Sequence, residues 1–407
     1  MAVPASLNPF RTLAAHRNFR IFWAGQTTSQ VGTWMQSVGQ GWLALELSND
    51  AFMVGLVSAA GSLPVLLLSL FAGVLADRVD KLRLVTVAQS LMLVQAVALW
   101  WFAWSGQITI GWLVTLAAAG GVLQAVEVPA RQSLVIELVG RDDLLDAIAL
   151  NSTGFNLARI VGPSLAALVI SQLGLAWCFG VNAVSYLAVL TSLLRIRLPA
   201  ASGERAATSP LEGLREGIRF IRGAPEISTL LRLTGVYSVC GLPYLALMPV
   251  FARDVLGLGA SGYGALLSFV GVGAITGALA LAAVGRRVRR GRLLPVTALG
   301  FASLLVALSF VRVPAAAAGV LLLAGLTMIL TNAITNGLLQ TLSPDAFRGR
   351  VMSMYSLLFI GLSPAGALAA GAVARELGVS VAIGGSAVLM LAYGGWTFWR
   401  NPAVREL

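Results

Sequence analysis

The sequence predicts an all-α integral membrane protein with twelve transmembrane helices in two pseudo-symmetric six-helix bundles. Three observations carry that prediction. Of the 407 residues, 57% are hydrophobic and 11% charged, with a mean hydropathy of +0.84, whereas a soluble domain carries about 25% charged residues. Apolar runs of roughly 20 residues, the length that crosses a bilayer core, recur through the whole chain. Polar landmarks of the first half also return in the second at similar offsets.

In order, the first six spans are expected at 19–46, 51–76, 84–104, 109–137, 144–171 and 174–195, and the second six at 227–255, 261–284, 293–311, 314–341, 351–374 and 379–399. An even number puts both termini on one side. On that side fall 23 basic residues, against Arg253, Arg312 and Arg375 opposite, while Arg159 and Arg232 lie inside or near the ends of spans. Basic residues stay cytoplasmic during insertion, so both termini are expected in the cytoplasm. The N-terminus lacks the ordered parts of a secretory signal peptide, and the first apolar helix is expected to remain as an anchor.

The longest polar stretch, 196–226, divides the chain. The organisation expected is a six-helix bundle over 1–197, a cytoplasmic linker over 198–226 and a second bundle over 227–407. Within the linker, Ser209-Pro210-Leu211-Glu212 reads as a capping box with proline at the first helical position. Leu211, Leu214, Ile218 and Ile221 then form one apolar stripe, as in a helix lying on the membrane surface. Asp77 to Arg83 after the second span recurs 209 residues later as Arg286 to Arg292, and Gly162-Pro163 returns 201 residues on as Ser363-Pro364. Such duplication suits a substrate site between two rocking halves.

Other functions lose their chemistry in this sequence. The net charge of +11 is dispersed in short clusters, without the continuous basic face that nucleic acid requires. Cys178 and Cys240 sit in separate apolar stretches, and His16 precedes the first span, so no metal site and no nucleophile with its base is expected. Lys81, the only lysine, follows no glycine-rich phosphate loop. No cofactor and no catalytic residue are predicted.

Within the spans, polar residues mark where transport chemistry would lie. The first helix carries a polar stripe, Gln26, Gln30, Thr33, Ser37 and Gln40, with Trp34 beside it, and a separate glycine stripe, Gly25, Gly32 and Gly39. The polar stripe is assigned to a central cavity and the glycines to helix packing. Tyr237 and Tyr244 in the seventh span, and Asn332, Asn336 and Gln340 at four-residue spacing in the tenth, are further cavity candidates. Mixed amide, aromatic and apolar lining suits a small amphipathic molecule. Glu127 and Arg131 are four apart, hence able to pair on one helical face, and Arg159 lies on the next helix. Intramembrane charges usually face a partner or a wet cavity. Burial favours the neutral acid and a nearby arginine the carboxylate, so conformation or substrate could tip Glu127, and these three residues are the proton-coupling candidates. A fixed structural ion pair is the competing reading.

Several segments carry a family resemblance. Gly73-Val74-Leu75-Ala76-Asp77-Arg78-Val79-Asp80-Lys81-Leu82-Arg83 resembles the loop 2–3 motif of the major facilitator superfamily, G-x-L-a-D-r-x-G-r-[kr], with Asp80 in place of glycine and Leu82 in place of a basic residue. Those departures resemble the branch of enterobactin exporters and related small-molecule efflux proteins, as do Asn18-Phe19-Arg20, Pro129-Ala130-Arg131-Gln132 and Arg348-Gly349-Arg350-Val351-Met352-Ser353. Ala158-Arg159-Ile160-Val161-Gly162-Pro163-Ser164-Leu165-Ala166-Ala167 is similar to the antiporter motif G-x-x-x-G-P-x-x-G-G, with alanine replacing several glycines. The resemblance implies the major facilitator fold, a latch at Gly73, Asp77, Arg78, Lys81 and Arg83, and close helix contact at Ala158, Gly162, Pro163, Ala166 and Ala167. It implies a monomer in the cytoplasmic membrane of a bacterium that exports a siderophore, drug or secreted metabolite by proton antiport. A facilitator, an importer or a lipid flippase of the same fold, and more distantly a receptor or scaffold, are the alternatives.

Overall fold

The computed structural model describes residues 10–140, 142–196, 216, 218–284 and 289–406, with the side chains of 10, 69–71, 73–78, 145, 284, 345 and 346 outside the description. Among the described residues the regular structure is helical throughout. The first half contains α1 (Phe10–Ala15), α2 (Arg17–Ser48), α3 (Ala51–Arg78), α4 (Lys81–Trp104), α5 (Ile110–Val139), α6 (Leu144–Leu173) and α7 (Trp177–Leu194). The second contains α8 (Pro225–Val236), α9 (Pro243–Val250), α10 (Ala260–Val284), α11 (Arg290–Phe310), α12 (Pro314–Leu342), α13 (Asp345–Gly361), α14 (Ser363–Leu377), α15 (Val379–Arg400) and α16 (Ala403–Glu406).

Among the described residues, eleven helical stretches are long and apolar enough to cross a membrane. The first long helix, α2, falls outside that set on composition alone: its 32 residues reach ~48 Å, but its amides and hydroxyls lower the mean hydropathy. The expected seventh span is one stretch, Pro225–Val255, in which α8 and α9 alternate with π turns at Tyr237–Gly241 and Phe251–Val255. Leu242 N–H bonds the Tyr237 carbonyl and Leu256 N–H that of Phe251. Pro243 and Pro249 lack the N–H that an α ladder needs, and the wider turns lie next to them. The expected eleventh span is likewise interrupted at Leu362, with Pro364 in the first turn of α14. Of the linker helix only residue 216 and 218–222 are described, so Ser209 to Glu212 lie outside the described residues. The described part is tied to the start of α13 by a Glu216–Arg350 ion pair of 2.7 Å and by Phe220 stacked on Phe347.

The chain forms two compact units, one of Met1–Gly39, Leu67–Ile108 and Ala119–Arg205, the other of Gln40–Leu66, Thr109–Ala118 and Ala206–Leu407. In the first, Phe19, Phe22, Val85, Leu134, Val189 and Leu193 make a buried core. In the second, Leu230, Leu294, Leu339, Val351 and Phe398 do the same. Backbones approach closely at glycines: a Cβ on Gly277 would stand 2.7 Å from the Leu326 carbonyl, so α10 lies directly against α12. Leu194, Phe310 and Trp399 are 77%, 76% and 74% exposed. An outer surface this apolar is stable only against lipid. Exposed Trp396 and Trp399 near Arg400, and Trp101 and Trp104 at the far end of α4, supply the interfacial aromatics that flank a bilayer.

Candidate functional site

The first unit contains a buried polar network built around Glu127. Pro129 lies inside α5, two residues beyond Glu127, and the following turn brings Arg131 back over the carboxylate, as i,i+4 spacing requires. Glu127 is 4% exposed. Its Oε1 accepts from Arg131 Nε at 2.9 Å and from Gln89 Nε2 of α4 at 3.0 Å. Gln89 Nε2 also lies 3.4 Å from Gln26 Oε1 of α2, so three helices meet at one carboxylate. A buried charge is tolerated only when paired and hydrogen-bonded, and both conditions hold. Gln89 Oε1 is buried and meets no donor among the described residues. Arg159, on α6, is half-buried and keeps its Nη2 out of solvent, while Arg131 and Gln89 bond the Glu127 carboxylate.

A second polar cluster lies farther along the same helices. Asn182 Nδ2 of α7 donates to Gln36 Oε1 at 2.7 Å, Gln36 Nε2 donates to Gln95 Oε1 at 3.4 Å, and Ser185 Oγ donates to Asn182 Oδ1 at 3.1 Å. Thr33 Oγ1 stands 3.5 Å from the Tyr186 hydroxyl. Sequence reasoning chose Thr33 but passed over Gln36, Gln89, Gln95, Asn182 and Tyr186. The signal was present as amides inside otherwise apolar spans, where an unmatched polar group is costly.

The remaining residues of α2 divide by face. Gln26 is buried, Gln30, Thr33 and Trp34 are half-buried, and Ser37 is exposed and back-bonded to the Thr33 carbonyl. The glycine stripe faces α7: a Cβ on Gly25 would lie 2.9 Å from the Ala188 carbonyl, on Gly32 2.5 Å from Asn182 Oδ1, and on Gly39 2.9 Å from Phe179. At the antiporter-like segment Gly162 packs on α2, where a Cβ would meet the Val31 carbonyl at 2.9 Å and crowd the Trp34 side chain. Ala158 and Ala166 are fully buried, Pro163 is buried, and Ala167 is half-buried. Small residues thus bring α6 onto the polar-stripe helix.

Of the latch residues, Gly73, Asp77 and Arg78 lie in α3 with side chains outside the described residues. Lys81 Nζ bonds Glu137 Oε1 at 2.7 Å, and Arg83 N–H bonds Asp80 Oδ1 at 2.7 Å as the N-cap of α4.

In the second unit Tyr237 and Asn332 line a narrow internal cavity of about 30 Å³ together with Thr234, Thr331, Tyr355 and Tyr393. Tyr237 packs 5.2 Å from Phe301. Tyr244 lies edge-on to Phe301 at 5.9 Å, with its hydroxyl 3.9 Å from Met328 Sδ. Asn336 is within hydrogen-bonding reach of the Tyr355 hydroxyl and accepts from Gln340, which is exposed. This unit also contains a tight helix seam. A Cβ on Gly55 would stand 2.5 Å from the Ala367 carbonyl and one on Gly371 3.1 Å from that of Ala51. Asp50 and Arg375 face each other at 3.6 Å at its end.

Comparison with known proteins places this chain in a family. Residues 5–402 match the family described as transmembrane secretion effector. The chain is 27% identical over 399 residues to the multidrug efflux pump Tap of Mycolicibacterium fortuitum, covering 93% of this chain and 94% of that one. It is 26% identical over 330 residues to the enterobactin exporter EntS of Escherichia coli, covering 80% and 75%. It is also 26% identical over 255 residues to the staphyloferrin A transporter of Staphylococcus aureus, 62% of this chain and 63% of that protein, so this match spans less than two thirds of that relative. Among solved structures, a peptide transporter superposes with a TM-score of 0.73 at 14% identity, covering 98% and 99% of the two chains. A D-xylose–proton symporter superposes at 0.70 with 14% identity, covering 95% and 97%. These similarities establish the fold and a transporter in place of an enzyme: the chain belongs to the transmembrane secretion effector family of major facilitator transporters.

Proposed function

We propose that this transporter exports a small amphipathic molecule, a siderophore, drug or secreted metabolite, across the cytoplasmic membrane of a bacterium. In this reading it works as a monomer by proton antiport and alternating access, with both termini in the cytoplasm and one six-helix bundle on either side of the linker. The buried carboxylate of Glu127, bonded to Arg131 and Gln89, is the observation that carries it. Those donors satisfy the carboxylate in this conformation, so a motion that parts Arg131 from Glu127 is the step at which a proton would be exchanged.

Support for the direction comes from relatives named for multidrug efflux and enterobactin export, together with the antiporter-like segment around Gly162. The seam of Gly55, Ala367 and Gly371, on the side opposite the arginine-rich loops, is the closure that would part to release substrate outward. The test is accumulation of fluorescent drugs and a catecholate siderophore in cells expressing wild type, Glu127→Gln or empty vector, with and without a protonophore. Lower accumulation with wild type, abolished by the substitution and by the protonophore, is the expected result. Raised accumulation would reverse the direction, and lowered accumulation insensitive to both treatments would remove Glu127 from coupling.

A further inference from the structure

A groove of about 580 Å³ in the second unit lies apart from the Glu127 network, between the helical segment 218–222, α8 and α13. Ile218, Ile221, Leu231, Val239, Leu358 and Leu362 form its apolar walls. Arg222, just before α8, and Ser228 and Arg232, one and two turns into it, supply its polar groups. Both arginines are exposed. Arg232 donates only to neutral oxygens of its own helix, the Ser228 carbonyl and Thr229 Oγ1, both at 3.3 Å. Among the described residues no carboxylate bridges Arg222 or Arg232; Glu216 is taken by Arg350. Gly235 keeps the floor open, since a Cβ there would stand at an ordinary 3.5 Å from Leu362 Cδ1.

An apolar trough that carries two guanidinium groups and a hydroxyl among its lining is complementary to one ligand chemistry: an alkyl chain joined to a phosphate. Basic pockets at the cytoplasmic ends of membrane helices select anionic head groups in this way. We propose that this groove holds one anionic phospholipid of the cytoplasmic leaflet, its phosphate between Arg222 and Arg232 and an acyl chain along Leu231, Val239 and Leu358. The choice of leaflet rests on the orientation proposed above.

Native mass spectrometry of the full-length protein in non-ionic detergent tests this with phosphatidylglycerol and phosphatidylcholine as probes. Wild type is expected to retain one phosphatidylglycerol in preference to phosphatidylcholine. Arg222→Gln with Arg232→Gln should weaken phosphatidylglycerol on the order of 30-fold and weaken the zwitterionic phosphatidylcholine less, so that the preference between the two lipids is lost. Gly235→Leu fills the trough without touching backbone and should reduce both lipids. Equal retention of the two lipids by wild type, or phosphatidylglycerol binding unaffected by either variant, would overturn the proposal. The measurement needs no transport, so failure of the export reading would show in the accumulation assay and not here.

Discussion

Gly32→Ala should cost stability where alanine normally gains it. A Cβ at Gly32 would lie 2.5 Å from Asn182 Oδ1 and nearer still to Ser185 Oγ. Neither side chain can step aside freely, because Asn182 is fully buried and holds Gln36 at 2.7 Å, and Ser185 is hydrogen-bonded to Asn182. Overpacking costs about 1–3 kcal/mol, and a strained or lost Asn182–Gln36 bond adds about 1 kcal/mol. Alanine returns about 1 kcal/mol of helix propensity, which leaves a destabilisation of about 2 kcal/mol. Gly385, inside α15, is the internal control: nothing lies within 4 Å of its Cβ position. Gly385→Ala should therefore stabilise by about 0.5–1 kcal/mol. Unfolding free energies in mixed micelles, measured by titration with a denaturing detergent, separate the two variants. If Gly32→Ala were as stable as Gly385→Ala, the close packing of α2 on α7 would be refuted.

Other consequences follow from the same contacts. Gly55→Leu should block closure of the seam against Ala367, where a Cβ already stands 2.5 Å from a backbone oxygen, and export measured in cells should fall several-fold at normal expression, with full activity excluding the seam from the cycle. Glu127→Ala leaves Arg131 and Gln89 facing a void and should destabilise by about 3–5 kcal/mol, while Glu127→Ala with Arg131→Ala should cost less than the sum of the single variants; strict additivity in a double-mutant cycle would deny the pair. Lys81→Ala removes a partly exposed ion pair with Glu137 and should change stability by less than about 1 kcal/mol; a larger loss in the same unfolding assay would assign Lys81 a structural role beyond that pair.

The fold was legible because membrane helices write themselves as long apolar runs, and the positions of Lys81–Trp104 and Val379–Arg400 follow directly from composition. What escaped was local. The π turns around Tyr237 and Phe251 and the break at Leu362 arise from proline placed within spans, which composition registers only as another apolar residue. The glycine stripe of α2 revealed its role because three residues at seven-residue spacing can share one face, and that face meets α7. Of the site, the Glu127–Arg131 pair was readable from i,i+4 spacing. Gln89 and Gln36 were not chosen, because Gln36 lies outside the stripe of Gln26, Gln30, Thr33, Ser37 and Gln40, Gln89 belongs to no stripe, and the partners of both come from other helices. Tyr237 and Tyr244 bury their rings against Phe301, a packing that no spacing rule reveals.

Purified protein in liposomes containing a pH-sensitive dye offers the most direct test of proton coupling through Glu127. Adding a transported substrate, identified by the accumulation assay, should move protons across the membrane in wild type and leave Glu127→Gln at background, with both proteins still reconstituted and folded. Substrate-dependent proton movement of wild-type size in Glu127→Gln would contradict the account.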